Sequence, residues 1–277
     1  MGETVWKYNF LRLLYKISSV LMLVLFSFPV RAEVLNVCYD QWPPMTIFPT
    51  AEEPRRGVVI DILSDIYKAA GYDLRFLEVP YARGMQMVES GQCDLLPEKE
   101  YSPNDAKGFV YAHQETFKYP TAFVVRHGDP WRYQGVESVR GKRVGTGPGW
   151  NYSSMSEGYQ NYMDDPANKE MVEVVAGNAD VVERILNMII AGRLDLYADN
   201  IFVLQYVVNL AGLSEKLDIV TPGLGKLLVE KPIFSLKLAS QKRQQLIEIW
   251  DKGRQALSEA EEVTYIKQYG LNVWDMN

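Results

Sequence analysis

Residues 139–152, Val-Arg-Gly-Lys-Arg-Val-Gly-Thr-Gly-Pro-Gly-Trp-Asn-Tyr, combine a basic turn, a short apolar strand at Val144 and a glycine-rich loop ending in polar and aromatic side chains. Glycines at 145, 147 and 149 let the backbone approach a ligand closely, and a helix opening near Asn151 would turn free N–H groups toward an anion. Gly149, Trp150 and Asn151 are therefore candidate ligand contacts; the alternative is an N-cap with an aromatic packed beside it. Trp42 follows the first apolar strand, where ligands of open α/β sheets bind, or else packs against Pro43 and Pro44. Glu98-Lys99-Glu100 follows the third strand in the same way and is either a solvated charged loop or cavity lining. If its acids face a cleft, they suit a cationic or amine-bearing ligand. Asp199-Asn200 follows a strand of the second half and is either a helix N-cap or a polar contact.

The rest of the chain supplies strands and helices to carry these groups. Val34 to Cys38 is a compact apolar strand, ended by the prolines at 43 and 44. Val59, Ile62, Leu63, Ile66, Tyr67 and Ala70 share one face of a helix that Gly57 opens and Gly71 stops. A strand over Leu74 to Val79, a short helix from Ala82 to Ser90 and a third strand from Gly91 to Leu96 complete a strand–helix alternation typical of parallel sheets. The second half repeats it: a strand at Val144, a helix from about Asn151, a strand from Met171 to Val175, and an amphipathic helix with Val181, Val182, Ile185, Leu186 and Ile189. Gly91-x-x-Asp94-Leu95 and Gly192-x-x-Asp195-Leu196 each end a helix and begin a strand, which suggests two similar lobes. Tyr119 to Arg126 and Ile233 to Leu238 read as connecting strands, and a helix with Leu246, Ile249, Trp250, Gly253 and Leu257 on one face follows.

Lys7, Arg12 and Lys16 precede an apolar run from Ile17 to Val30, and Val30-Arg31-Ala32 has residues of the size a signal peptidase reads. The run falls short of the roughly 20 apolar residues of a membrane span. The expectation is a signal peptide over 1–32, cleaved after Ala32, and a periplasmic protein; an uncleaved anchor is the alternative. The whole chain carries −6; the leader, with four bases and Glu3, contributes +3, leaving −9 on the remainder. That charge argues against nucleic acid and anionic membrane surfaces as partners. Cys38 and Cys93 both lie beyond the leader and form either a disulfide or two small core side chains. The two histidines, His113 and His127, lack partners at metal-ligand spacing, and there is no phosphate-loop or dinucleotide fingerprint. Neither a metal nor a cofactor is expected.

Together the Trp42-Pro43-Pro44 turn, the Gly57–Gly71 helix, Pro80-Tyr81-Ala82-Arg83, Gly91-Gln-Cys-Asp94, Ser102-Pro103, Gly141-Lys-Arg-Val-Gly145 and Gly192-Arg-Leu-Asp195 resemble the bacterial extracellular solute-binding proteins of family 3. The resemblance spans essentially all of the chain after the leader. It implies a type II periplasmic binding protein: two α/β lobes, each a mainly parallel sheet flanked by helices, joined by two hinge strands. Lobe 1 would comprise 33–126 and 239–277, lobe 2 127–230, with hinges at about 119–126 and 231–238. It further implies that Trp42 stacks on the ligand, that Gly149, Trp150 and Asn151 hold a carboxylate, and that Asp199 or Asn200 grips an ammonium group. Family members that bind amino acids carry Thr-Pro-x-Arg where this chain has Ser102-Pro103-Asn104-Asp105. A carboxylate cannot make the guanidinium's two-pronged contact, so Arg83 or Lys99 would have to substitute if the ligand is an amino acid.

The function these features favour is a monomeric, non-enzymatic receptor for a small polar solute, an amino acid or related amine or carboxylate, delivered to an ABC-type permease. The alternatives are the ligand-sensing partner of a membrane signalling receptor, or a periplasmic enzyme on the same fold resembling cyclohexadienyl dehydratases, with Glu98, Lys99 and Glu100 as acid–base groups.

Overall fold

The computed structural model describes residues 32–102, 107–177 and 180–271. The expected leader lies outside them except for Ala32, as does Asp105. Eleven strands form two separate mixed sheets. The first contains β1 (Glu33–Tyr39), β2 (Tyr72–Glu78), β3 (Leu95–Glu100), β4 (Phe109–Tyr111), β5 (Phe117–Tyr119) and β11 (Leu228–Ser235), in the order β2-β1-β3-β11-β4 with β5 also on β11. The second contains β6 (Thr121–Arg126), β7 (Val144–Thr146), β8 (Val172–Val174), β9 (Leu196–Asn200) and β10 (Leu217–Val220), in the order β10-β6-β9-β7-β8. Parallel pairs (β1–β3, β7–β8, β7–β9) form where the chain alternates strand and helix, and antiparallel pairs where β6 and β11 enter.

Seven helices flank the sheets among the described residues: α1 (Val58–Ala69), α2 (Tyr81–Ser90), α3 (Glu157–Asp164), α4 (Val181–Ile190), α5 (Ile201–Leu210), α6 (Ser240–Ala256) and α7 (Glu259–Gln268). α1 buries Val58, Val59, Ile62, Leu63 and Tyr67, the apolar stripe of the sequence, while Ile66 is partly covered and Ala70 is exposed at the helix end. α6 closes over α1: Tyr67 donates to the Leu246 carbonyl at 3.0 Å, and Gly253 lies so close to Ile66 that a Cβ would sit 2.7 Å from it.

The short repeat noticed in the sequence is a structural device. Asp94 accepts the backbone N–H of Asn36 at 2.7 Å, one residue before Val37 pairs with Leu95. Asp195 accepts the backbone N–H of Arg143 at 2.9 Å, one residue before Val144 pairs with Leu196. Each acid clasps the start of one parallel strand to its neighbour, after a glycine whose φ (+80° at Gly91, +70° at Gly192) lies in the left-handed region. Cys38 and Cys93 are joined by a disulfide that ties the end of β1 to the turn ahead of β3.

Three expectations need correction. Thr121–Arg126 does not merely connect lobes; it pairs residue for residue with β9 and β10 inside the second sheet. Leu228–Ser235 likewise pairs with β3, β4 and β5 inside the first. The chain instead passes between the sheets at Pro120 and over residues 221–227, and the two crossings touch: the Leu224 N–H donates to Thr121 Oγ1 at 2.8 Å. Finally, the helix expected from about Asn151 begins at Glu157, capped by Ser156; Tyr152 is held off helical pairing by the Gln160 side chain, which accepts its N–H at 2.6 Å.

Gly57 ties the first lobe's start to its end. Its φ is +102°, its N–H donates to the Tyr269 hydroxyl at 2.9 Å, and that hydroxyl donates to Asp61 Oδ2 at 2.6 Å. A Cβ at Gly57 would collide with the Met45 carbonyl. Gly57→Ala is expected to cost about 2 kcal/mol or more, seen as a lowered thermal midpoint; an unchanged midpoint would show that the backbone relaxes there freely.

Candidate functional site

The C-terminal ends of the sheets' central strands face a common cavity of about 70 Å³. β1 ends at Tyr39, and the turn beyond it returns the Trp42 N–H to the Thr46 carbonyl at 2.9 Å, fixing Asp40 and Trp42 at the strand's end. β3 runs on through the charged triplet instead of ending at Leu96. Side chains alternate across a strand, so Glu98 and Glu100 share the cavity face and Lys99 does not. On β11, Glu230 pairs directly opposite Glu100 and diagonally to Glu98. Tyr81, at the start of α2, completes this wall.

The second sheet supplies the other wall. Asp199 and Asn200 are the last residues of β9. Asp199 Oδ1 accepts the Asn200 N–H at 2.7 Å, and its Oδ2 accepts the Tyr197 hydroxyl. Asn200 caps α5 by accepting the Phe202 N–H at 2.9 Å, and it also lines the cavity. Residues 147–156 form an ordered loop. Trp150 lies against Gly147, where no Cβ could fit, and is tilted over Tyr197 at 6.0 Å. Asn151 accepts the Ser153 N–H at 2.8 Å, and Trp150, Asn151, Tyr152 and Met155 face the cavity.

Two hydrogen bonds cross from wall to wall. The Trp42 indole donates to Asp199 Oδ2 at 3.2 Å, and the Ser154 N–H donates to Glu100 Oε1 at 2.8 Å. Each acceptor is a cavity carboxylate, so the contacts that hold the walls together are made by the groups that line the cavity.

Five acids line it, Asp40, Glu98, Glu100, Asp199 and Glu230, and no basic side chain does so among the described residues. The internal residues outside that description, 103–106 and 178–179, contain no base either. Removal from water penalises ionisation. Burial, with Asp40 and Asp199 adding repulsion, drives the Glu98 carboxyl up to about 8 despite its hydrogen bond with the Glu230 carboxyl and donation from the Tyr119 hydroxyl at 2.9 Å. Glu230 is pushed well above its ordinary range by burial and by the adjacent Glu98. Burial raises Asp40 to about 7, with Asp199 adding to the effect, and Asp199 itself to about 6 against its three donors.

Of the residues singled out in the sequence, the structure brings Trp42, Glu98, Glu100, Trp150, Asn151, Asp199 and Asn200 to one cavity. Lys99 is buried on the opposite face of β3. Arg83 is exposed on α2, within 3.4 Å of Gln86, because Gly84 is the residue that turns inward there, against Leu96. Gly149 does not line the cavity but stands beside it, with φ +80° and room for a Cβ 3.8 Å from the Tyr81 ring. Neither candidate base therefore lines the cavity. The sequence reading missed Asp40 and Glu230. A signal existed for both: Asp40 directly follows a core strand, and Glu230 interrupts an apolar one.

Because Asp40, Glu98 and Asp199 hold their protons more tightly folded than unfolded, the stability gained from burying them neutral is complete below their ordinary range. It is lost as pH rises through their raised values. The unliganded protein is expected to lose roughly 5 °C of thermal midpoint from about pH 5 to about pH 8. A midpoint that holds or rises across that window contradicts this electrostatic account.

The fold is shared with several solved structures. A histidine kinase sensor domain with similarity to periplasmic binding proteins aligns with a TM-score of 0.69 at 16% identity, over 86% of this chain and 96% of that one. An amino acid ABC transporter substrate-binding protein from Streptococcus pneumoniae, bound to L-arginine, aligns at 0.66 and 18% identity, over 85% and 94%. The VFT2 domain of BvgS from Bordetella pertussis aligns at 0.64 and 16% identity, over 85% and 93%. No curated protein matches the chain significantly. The family model of the bacterial extracellular solute-binding proteins, family 3, matches residues 35–270, and the chain belongs to that family.

Proposed function

We propose that this protein is an exported receptor that captures a small polar solute between its two lobes and closes on it. The observation that carries the reading is the cavity walled by both sheets and bridged by Trp42–Asp199 and Ser154–Glu100. A solute touching both walls favours the closed form by whatever it binds better there than in the open one. The crossings at Pro120 and 221–227 serve as the hinge, with lobe 1 formed by residues before and after them and lobe 2 by residues between. The mature chain starts after cleavage at Ala32, in the periplasm. The closed form is then offered to a membrane partner. Solved structures of the same fold include both an ABC transporter's binding protein and a kinase sensor domain, so a permease and a sensor are both candidates.

A catalytic reading has one observation in its favour, the Glu98 carboxyl held near 8 in a closed cavity, as a general acid would need. Binding alone accounts for the geometry, and the receptor reading is the one the chain's family favours.

The test is a thermal-shift screen of the mature chain, stripped of solute by refolding, against amino acids, amines, dicarboxylates and sugars. A ligand at about 100 times its dissociation constant adds about 2.7 kcal/mol, a rise of roughly 5–10 °C. X-ray scattering should report compaction with the same solute, and mass spectrometry should recover it unchanged after hours; chemical conversion of the solute would overturn the receptor reading. Asp199→Asn keeps the shape but gives up the charged acceptor for Trp42, and is expected to weaken the hit about tenfold or more. Unaltered affinity would remove Asp199 from the binding account.

A further inference from the structure

The chemistry of the cavity walls specifies a ligand class, and this inference rests on the receptor reading. Glu98, Glu100 and Glu230 stand on adjacent antiparallel strands with Glu230 directly opposite Glu100, an arrangement in which like charges repel. Asp199 faces them from the other lobe. Glu98 and Glu230 are 5% and 8% exposed; their side chains hydrogen-bond each other, which needs a proton on one of the two, and no other protein donor reaches the Oε2 atom of either. Acceptors buried this deeply are costly unless a proton or a ligand donor satisfies them. The remaining walls include the rings of Trp42, Tyr81, Trp150 and Tyr152, surfaces to which a positive charge is drawn by the ring quadrupole. No base is present to receive an anion among the lining residues.

We propose that the solute taken by this cavity is a small organic cation, an alkylammonium that carries no carboxylate. Its N–H groups donate to the Glu98 and Glu230 oxygens, and its alkyl part lies against the aromatic walls. The Asn200 amide adds a finer preference. Asn200 is fully buried, its Oδ1 is committed to the α5 cap, and its Nδ2 has no acceptor. A second, neutral acceptor on the ligand, such as a hydroxyl, would satisfy it. At about 70 Å³ the cavity has room for on the order of five water-sized groups, which limits the guest to a short chain.

Matched pairs that differ only by the carboxylate test this directly: ethanolamine against L-serine, and 1,4-diaminobutane against L-ornithine, by calorimetry on the refolded mature chain. In each pair that binds, the amine is expected to bind at least about tenfold more tightly than the amino acid. An amino acid that equals or exceeds its amine overturns the proposal, as does failure of both amines to bind at about 10 mM. Succinate and glucose serve as separate probes. Compaction with either of them, or with an amino acid alone, defeats the cation class and leaves the receptor reading intact. Tight binding of an amine followed by its conversion defeats the receptor reading and leaves the cation class intact.

Discussion

Concentrating buried carboxyl groups in one cavity is the constraint around which the rest of this molecule is arranged. Glu98, Glu100 and Glu230 lie on neighbouring strands of one sheet, and Asp199 reaches them from the end of another. Unshielded, such a group of charges would push the walls apart. With protons or a cation offsetting that repulsion, the bonds that Asp199 and Glu100 accept from the Trp42 indole and the Ser154 amide hold the walls together. On the receptor reading proposed above, closure and neutralisation are one event. A ligand that supplies positive charge does to the cavity what protons do at lower pH, with added contacts to both lobes.

The scaffold makes this economical. In each sheet an aspartate after a left-handed glycine clasps two parallel strands at the same register, Asp94 to Asn36 and Asp195 to Arg143, so that the strand ends bearing the site are fixed relative to their own sheet. The Cys38–Cys93 disulfide reinforces the first of these clasps. The two sheets are joined by two crossings that lie side by side at Thr121 and Leu224, the segment proposed above as the hinge. Rigid walls and a narrow connection are what a closing receptor needs.

Much of this is legible in the sequence, for identifiable reasons. The α1 stripe follows helical spacing, the prolines after Trp42 punctuate a strand, and the twin glycine–aspartate motifs mark equivalent strand starts. Trp42, Asp199 and Asn200 stand at strand ends, Trp150 and Asn151 close the glycine-rich loop, and all five line the cavity. The errors came from charge. Glu98-Lys99-Glu100 looks like a loop because charged runs usually are solvated, yet pairing with β11 extends β3 through it. Once it is a strand, alternation sends Lys99 away from the acids, a distinction no linear reading of the triplet makes. Glu230 was invisible as a partner because its significance depends on a register set 130 residues after Glu100. Arg83 is two residues beyond Tyr81 in the same stretch, but a helix turns by more than half a circle over two residues and leaves it in solvent.

The central claim is that this cavity is completed by a positively charged solute. The most direct measurement is native mass spectrometry of the protein purified without refolding, followed by identification of whatever is released on denaturation. The account requires one equivalent of a small ammonium compound lacking a carboxylate. Release of an anion, or of a zwitterionic amino acid in stoichiometric amount, would contradict it.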